Sequence, residues 1–298
     1  MMNGEDNGEV DRVRVSVIIP TLNEADNLRF VLSAIPDIVE EVLIVDGGST
    51  DGTVDEARRL RPDVRIIEEL RPGKGRALRT GFEEATGDIL VMIDADGSMD
   101  PREIPAMVAV LESGADVVKG SRFLQGAGTD DMGWLRRSGN AGLRLLVRAL
   151  FGGRYSDLCY GYMAFWRDVL PAFEGDAPGF EVETFLNVRA LAAGLRIAEV
   201  PSFERNRISG ESHLNTFRDG WRVLKTIFRE RQLTARSRWG QGVPRPTPAR
   251  HAELTIDLTD SSSERVKVLE LRPNSAELVD QAAVGSSQRG SGTDSGNA

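Results

Sequence analysis

The chain holds a single cysteine, Cys159, in 298 residues. No internal disulfide can brace it, and such usage fits a reducing compartment. No apolar run approaches the roughly 20 residues that a membrane-crossing helix needs. The first residues, Met1-Met2-Asn3-Gly4-Glu5-Asp6, are acidic and lack the basic-then-apolar layout of a secretion signal. Basic residues are in deficit: 37 Lys and Arg against 46 Asp and Glu leave a net charge of -9, which argues against a general nucleic-acid binder. Internal repeats are missing as well. These absences lead us to expect a cytoplasmic protein, peripheral at most to the inner face of a membrane.

What remains is ordinary soluble composition, 40% hydrophobic and 28% charged, with room for one α/β domain and appendages. Between residues 13 and 232, short runs rich in Val and Ile alternate with helix-period stretches. Strands are expected at Val13–Pro20, Glu41–Asp46, Val64–Glu68, Ile89–Asp94 and Val117–Gly120, each ending on a turn signal. Helices are expected at 24–34, 53–60, 75–86 and 101–113, with Thr53 and Asp100 as cap candidates and Pro101 at a first helical position. Such alternation predicts a mostly parallel sheet with helices on both faces, and ligands outside the carboxyl ends of its strands.

Past residue 120 the pattern changes. Trp134–Phe151 and Asp219–Arg231 read as basic amphipathic helices, Gly161–Trp166 as a late strand, Glu181–Gly194 as a helix and Ile197–Val200 as a short strand. The two basic helices can pack on the domain or lay Trp134, Leu135, Trp221, Leu224 and Phe228 on a bilayer. Packing is the preferred reading. Residues 1–12 and 240–298 read as disordered, the latter rich in Pro, Ser and Gly, with strand pieces at Glu253–Leu258 and Val266–Leu271.

Asp94-Ala95-Asp96 is the most informative feature, because it follows an apolar strand and aims two carboxylates from one strand end. A hard cation, Mg²⁺ or Mn²⁺, suits that oxygen pair and can hold a diphosphate. Other pieces stand in order around it: Pro20-Thr21-Leu22-Asn23-Glu24, Asp46-Gly47-Gly48-Ser49-Thr50-Asp51-Gly52, Gly73-Lys74-Gly75-Arg76, Lys119-Gly120-Ser121-Arg122, Gly179-Phe180-Glu181-Val182-Glu183 and Arg207-Ile208-Ser209-Gly210-Glu211-Ser212-His213. Together they resemble the family-2 glycosyltransferases of the GT-A fold, and within them the polyprenyl-phosphate, dolichol-phosphate mannose synthase-like branch.

That resemblance covers residues 13–232. It implies a single Rossmann-like domain, an inverting and metal-dependent hexosyltransferase, a nucleoside-diphosphate sugar donor and a polyprenyl-phosphate acceptor. It makes Asp96 a metal ligand, Asp94 a ribose or metal contact, and Arg122 a diphosphate clamp beside Arg207. Pro20, Asn23, Glu24 and Lys74 join the donor site. Asp46 either accepts from a base N–H or only opens a Gly-rich turn. Glu24 either meets the nucleotide or charges a helix start. His213 either meets phosphate or lies on a polar surface loop. Asp157 and Glu183 are the candidate bases on the acceptor side, needed for a hydroxyl acceptor and dispensable for a phosphate. The rivals are transfer to a glycan or small-molecule hydroxyl, a sugar-nucleotide-binding scaffold without turnover, and a nucleotidyltransferase. The last would be expected to open with a Gly-rich phosphate loop, where this chain has Pro20-Thr21-Leu22-Asn23-Glu24.

Overall fold

Strand β1 (Val15–Thr21) is buried at Val15, Ser16, Val17, Ile18 and Ile19 in succession, the mark of a strand covered on both faces. A computed structural model describes residues 12–210, 216–236 and 269–271 and shows how the rest of the chain builds around that strand. Helix α1 (Ala25–Leu32) leads to β2 (Val39–Asp46), α2 (Thr53–Leu60), β3 (Arg65–Glu68), α3 (Lys74–Glu84) and β4 (Ile89–Met92). A 3-10 turn at Pro101–Glu103 runs into α4 (Ile104–Glu112), followed by β5 (Val117–Ser121), the two-residue β6 (Gly128–Thr129) and α5 (Trp134–Phe151). After β7 (Met163–Trp166) come α6 (Val182–Ala192), β8 (Ile197–Pro201), the short β9 (Phe203–Glu204), α7 (Thr216–Arg236) and β10 (Leu269–Leu271).

Eight strands form one sheet in the order β10-β8-β5-β7-β4-β1-β2-β3. Strands β1 to β4, β5 and β8 share a direction, and β7 and β10 run against it. The expected mostly parallel, helix-flanked sheet is therefore present. Its carboxyl edge gathers the ends of β1, β2, β4 and β5, and the reversed β7 brings its own start to that same edge. Met163, the first residue of β7, pairs with both Met92 and Lys119. The loop ahead of β7, carrying Asp157 and Gly161, consequently lies among the strand ends.

One local expectation changes. Thr53 is the first residue of α2 rather than its cap; Gly52 holds the cap position, and Asp51 before it accepts the Thr53 N–H at 3.0 Å. Helix α5 packs on the domain along one stripe and leaves the rest of its surface open. Only Asn140 and Val147 are fully buried along it, Leu143, Leu146 and Leu150 rest partly against the core, and Trp134 and Leu145 are 79% and 67% exposed. Asp100 caps the turn at Pro101 as expected, accepting from the Arg102 N–H at 3.1 Å. In the expected tail, β10 lies inside the Val266–Leu271 stretch and pairs antiparallel with β8. No helix among the described residues is long and apolar enough to cross a membrane.

Candidate active site

The β1–β4 ladder closes at Ile18 and Met92, so the two strands part just before Pro20 and Asp94. Pro20, which has no N–H, stands where no ladder bond to β4 is required. Beyond β4 the chain turns at Ala95–Asp96, and the two carboxylates emerge in different directions. Asp94 Oδ1 lies 2.5 Å from Lys74 Nζ, while Asp96 Oδ2 lies 3.0 Å from Arg207 Nη2. The other Asp96 oxygen accepts the Ser98 N–H at 3.0 Å.

Lys74 opens α3 between two glycines that permit a close backbone approach. A Cβ on Gly73 would stand 2.1 Å from the Pro178 carbonyl oxygen, and one on Gly75 would stand 1.8 Å from that of Ala177. The 177–178 segment docks there, with the Gly75 N–H donating to Pro178 O at 3.0 Å. It brings the start of α6 within reach, and Lys74 Nζ meets Glu183 Oε1 at 2.7 Å. Burial works against the ammonium, but Asp94 and Glu183 override it and hold the Lys74 pKa above the ordinary lysine value.

Asp46 ends β2 buried, and four protein donors fill its carboxylate: Thr21 Oγ1, Ser49 Oγ, and the Gly48 and Ser49 N–H groups, at 2.6 to 3.0 Å. These contacts build the turn that follows β2. Asn23, held at a positive φ of 58°, ties this turn to β1. Its N–H donates to Ser49 Oγ at 2.8 Å and its Oδ1 accepts the Thr50 N–H at 2.9 Å. Glu24 is half-buried beside Asp96. It accepts from Asn27 Nδ2 at 2.5 Å and from Arg207 Nη1 at 3.1 Å, and burial, with Asp96 nearby, lifts its carboxyl above the usual range against those two donors. Arg207 is therefore shared between Glu24 and Asp96. His213 lies outside the described residues.

Arg122 and Asp157 form a second cluster. Arg122 Nε and Nη2 reach the two Asp157 oxygens at 2.6 and 3.0 Å, Nη1 reaches both Glu204 oxygens at 3.0 Å, and its guanidinium lies 4.7 Å from the Tyr160 ring centroid. Asp157 is wholly buried. Burial alone would raise its carboxyl, but Arg122 holds it below the usual range. Behind them Lys119, also fully buried, donates to the Tyr160 carbonyl, and burial pushes its pKa down. The sequence expectation set Arg122 on the donor diphosphate and Asp157 on the acceptor; the structure binds them to each other.

Glu204 and Lys119 are the residues that motif reading did not single out. Lys119 stood in the motif with Arg122, but its burial became visible only with the sheet assembled. Glu204 is 82 positions from its partner Arg122, and nothing local announces it.

The edge thus offers two carboxylates on one turn that keep only a minor part of their surface open, each balanced by a cation from another element. Two oxygens of that kind suit Mg²⁺ or Mn²⁺. Among the described residues no three His, Cys, Asp or Glu side chains converge to hold a metal without further ligands. An ion here would take its remaining ligands from water or a bound diphosphate.

Comparison with known proteins points the same way. The family described as glycosyl transferase family 2 matches residues 16–173. A polyprenol monophosphomannose synthase of Mycolicibacterium smegmatis is 31% identical over 238 residues, covering 76% of this chain and 88% of the relative. An undecaprenyl-phosphate mannosyltransferase of Micrococcus luteus is 34% identical over 215 residues, covering 68% and 88%. Among solved structures, glucosyl-3-phosphoglycerate synthase from Mycobacterium tuberculosis, in complex with Mn²⁺, UDP-glucose and phosphoglyceric acid, aligns with a TM-score of 0.57 at 26% identity. That alignment covers 74% of this chain and 80% of the other.

Proposed function

The chain belongs to glycosyl transferase family 2 and is a glycosyltransferase, and from that premise we propose that it moves a hexosyl group, with inversion, from a nucleoside-diphosphate sugar to a polyprenyl phosphate. One observation carries the choice of acceptor. Both carboxylates available to deprotonate a hydroxyl are already engaged, Asp157 by Arg122 inside the protein and Glu183 by Lys74 at 2.7 Å. A phosphate oxygen is ionised at neutral pH and needs no base. The names of the mannosyl-transferring relatives support the same acceptor class.

In this reading the donor diphosphate lies over the β4 turn. Asp94 and Asp96 would hold the divalent ion, and Lys74 and Arg207 would supply positive charge to the phosphates. A bound Mg²⁺ or Mn²⁺ would neutralise the diphosphate and stabilise charge on the departing nucleoside diphosphate. Asp46, Asn23 and Ser49 keep the β1 and β2 turns in one fixed shape beneath the nucleotide. Lys74 does double duty, since Glu183 holds it between the donor carboxylate Asp94 and the acceptor side. Arg122, with Asp157 and Glu204, positions the wall of the acceptor side rather than clamping the diphosphate.

The exposed face of α5 fits a bilayer surface, with Trp134, Leu135 and Leu145 to enter the interface and the exposed Arg137 and Arg148 to meet anionic lipid. Purified protein given GDP-mannose or UDP-glucose, Mn²⁺ and undecaprenyl phosphate in phosphatidylglycerol vesicles should form a lipid-linked hexose. Omitting the lipid phosphate or adding chelator should abolish it. Transfer to a glycan hydroxyl with no lipid-linked product would overturn the acceptor assignment. Donor binding without any turnover would leave the scaffold reading. In the same vesicles Trp134→Glu with Leu145→Glu should sediment less, and unchanged sedimentation would rule out the α5 contact.

A further inference from the structure

Arg207 lies on a strap, Arg205–Gly210, that crosses the metal-facing turn and the start of α1. The Arg205 N–H donates to Ser98 O at 2.8 Å and the Ile208 N–H to Asp96 O at 3.3 Å, while Asn27 Nδ2 donates to Ser209 O at 3.2 Å. Under the strap sits Gly97, at a positive φ of 76°, where a Cβ would come within 2.5 Å of Ile208 Cδ1. Ile208 remains 45% exposed, so the strap is a single layer over the turn and can lift without opening the core. Arg205 Nη2 lies 3.4 Å from Asp100 Oδ2 at the strap's start, and at its centre the two Nη atoms of Arg207 bridge Glu24 and Asp96.

The chemistry of that bridge is specific. Ser98 already occupies one oxygen of Asp96, and Arg207 occupies the other. A divalent cation ligated by that oxygen would stand within a few ångströms of the guanidinium, where like charges repel strongly in a half-buried setting. With no cation there, Glu24 and Asp96 would be left as neighbouring carboxylates. Arg207 removes that repulsion, and its planar fork can serve two carboxylates at once.

We propose that Arg207 is a built-in counter-cation, holding Asp96 and the strap closed until a divalent ion arrives, and then transferring its guanidinium to the donor diphosphate. The inference rests on the reading of Asp94 and Asp96 as the metal-facing pair. It makes Arg207 oppose the bare ion and favour the ion together with nucleotide, two effects of opposite sign at one residue. A surface arginine would produce neither, and a plain diphosphate contact only the second.

The test is Mn²⁺ binding, read by electron paramagnetic resonance, on the full chain of wild type and Arg207→Met. Without nucleotide, the variant should bind Mn²⁺ about tenfold more tightly, the scale expected when a charge-assisted hydrogen bond no longer competes. With saturating Mn²⁺, its affinity for GDP and UDP should fall by about tenfold for the same reason. Ile208→Ala keeps the guanidinium and weakens only the strap's apolar seat, so it should tighten bare Mn²⁺ binding in the same direction by roughly twofold. Thermal melting checks that each variant folds. Unchanged or weaker Mn²⁺ binding by Arg207→Met overturns the counter-cation role while leaving the metal site standing. Failure of wild type to bind Mn²⁺ even with nucleotide overturns both the role and the metal-facing reading beneath it.

Discussion

Two arginine–carboxylate clusters stand along the sheet's carboxyl edge, built from the same residue types and suited to opposite tasks. At β4, Asp94 and Asp96 meet Lys74 and Arg207 where side chains keep 12 to 27% of their surface open. At β5, Asp157 meets Arg122 with 0% and 6% left open. A charge that water reaches can change partners at low cost, because the solvent makes up part of what is lost. A charge sealed in the interior cannot, since breaking the pair strands an ion in a poor dielectric. The first cluster is fit to exchange a protein cation for a substrate or a metal, and the second to hold a loop still.

Substitutions that treat the two clusters alike sharpen the contrast. Asp96→Ala should lose the most activity, about 10³-fold or more in kcat, from the electrostatic stabilisation that a metal gives a leaving group. Its melting temperature should stay near wild type, because the Asp96 side chain lies at the sheet edge, where it keeps some contact with water, rather than in the core. Retention of wild-type turnover, in a form that chelator does not affect, would break the comparison at its first term.

Asp157→Asn should act through stability. Removing one partner of a buried pair costs about 3–5 kcal/mol, and Glu204 remains to offset part of it, so a loss near the lower figure is expected in urea titration. The folded Asp157 carboxyl lies below its unfolded value, so its contribution is present above about pH 4 and fades as pH falls through the folded pKa. The gap between wild type and Asp157→Asn should narrow in acid. A gap that widened in acid would mean that Asp157 is not held as a carboxylate.

The smallest effect is expected at Glu183→Gln. If the acceptor is a phosphate, kcat should fall by less than about tenfold, against the roughly 10²–10⁴-fold loss that follows removal of a general base. A fall of that larger size with donor affinity intact would make Glu183 the base and return a hydroxyl acceptor to consideration.

Much of the donor side was legible in the chain order, because its parts are local. Asp94 and Asp96 are two residues apart at the end of one apolar run, and Asp46 and Ser49 close a turn within four residues. Helix α5 was legible in its limits, Trp134 to Phe151, though not in which of its faces would stay uncovered. Its periodicity is the same whether the stripe meets a core or a bilayer. The pairing of Arg122 with Asp157 was not legible for a related reason: a basic residue after a strand reads identically whether it faces water or a buried carboxylate 35 positions on.

The sequence by itself determined the succession of strands and helices, the carboxylates at the strand ends and the family. Each of these depends on residues close together along the chain. Only the tertiary structure decided that β7 enters the sheet reversed between β4 and β5, that Asp157 is thereby shut in with Arg122, and that Arg207 spans Glu24 and Asp96. Strand direction and ion pairing are set by hydrogen bonds and charges from segments tens to nearly two hundred residues apart, and no local pattern records which of several similar partners the fold will bring near.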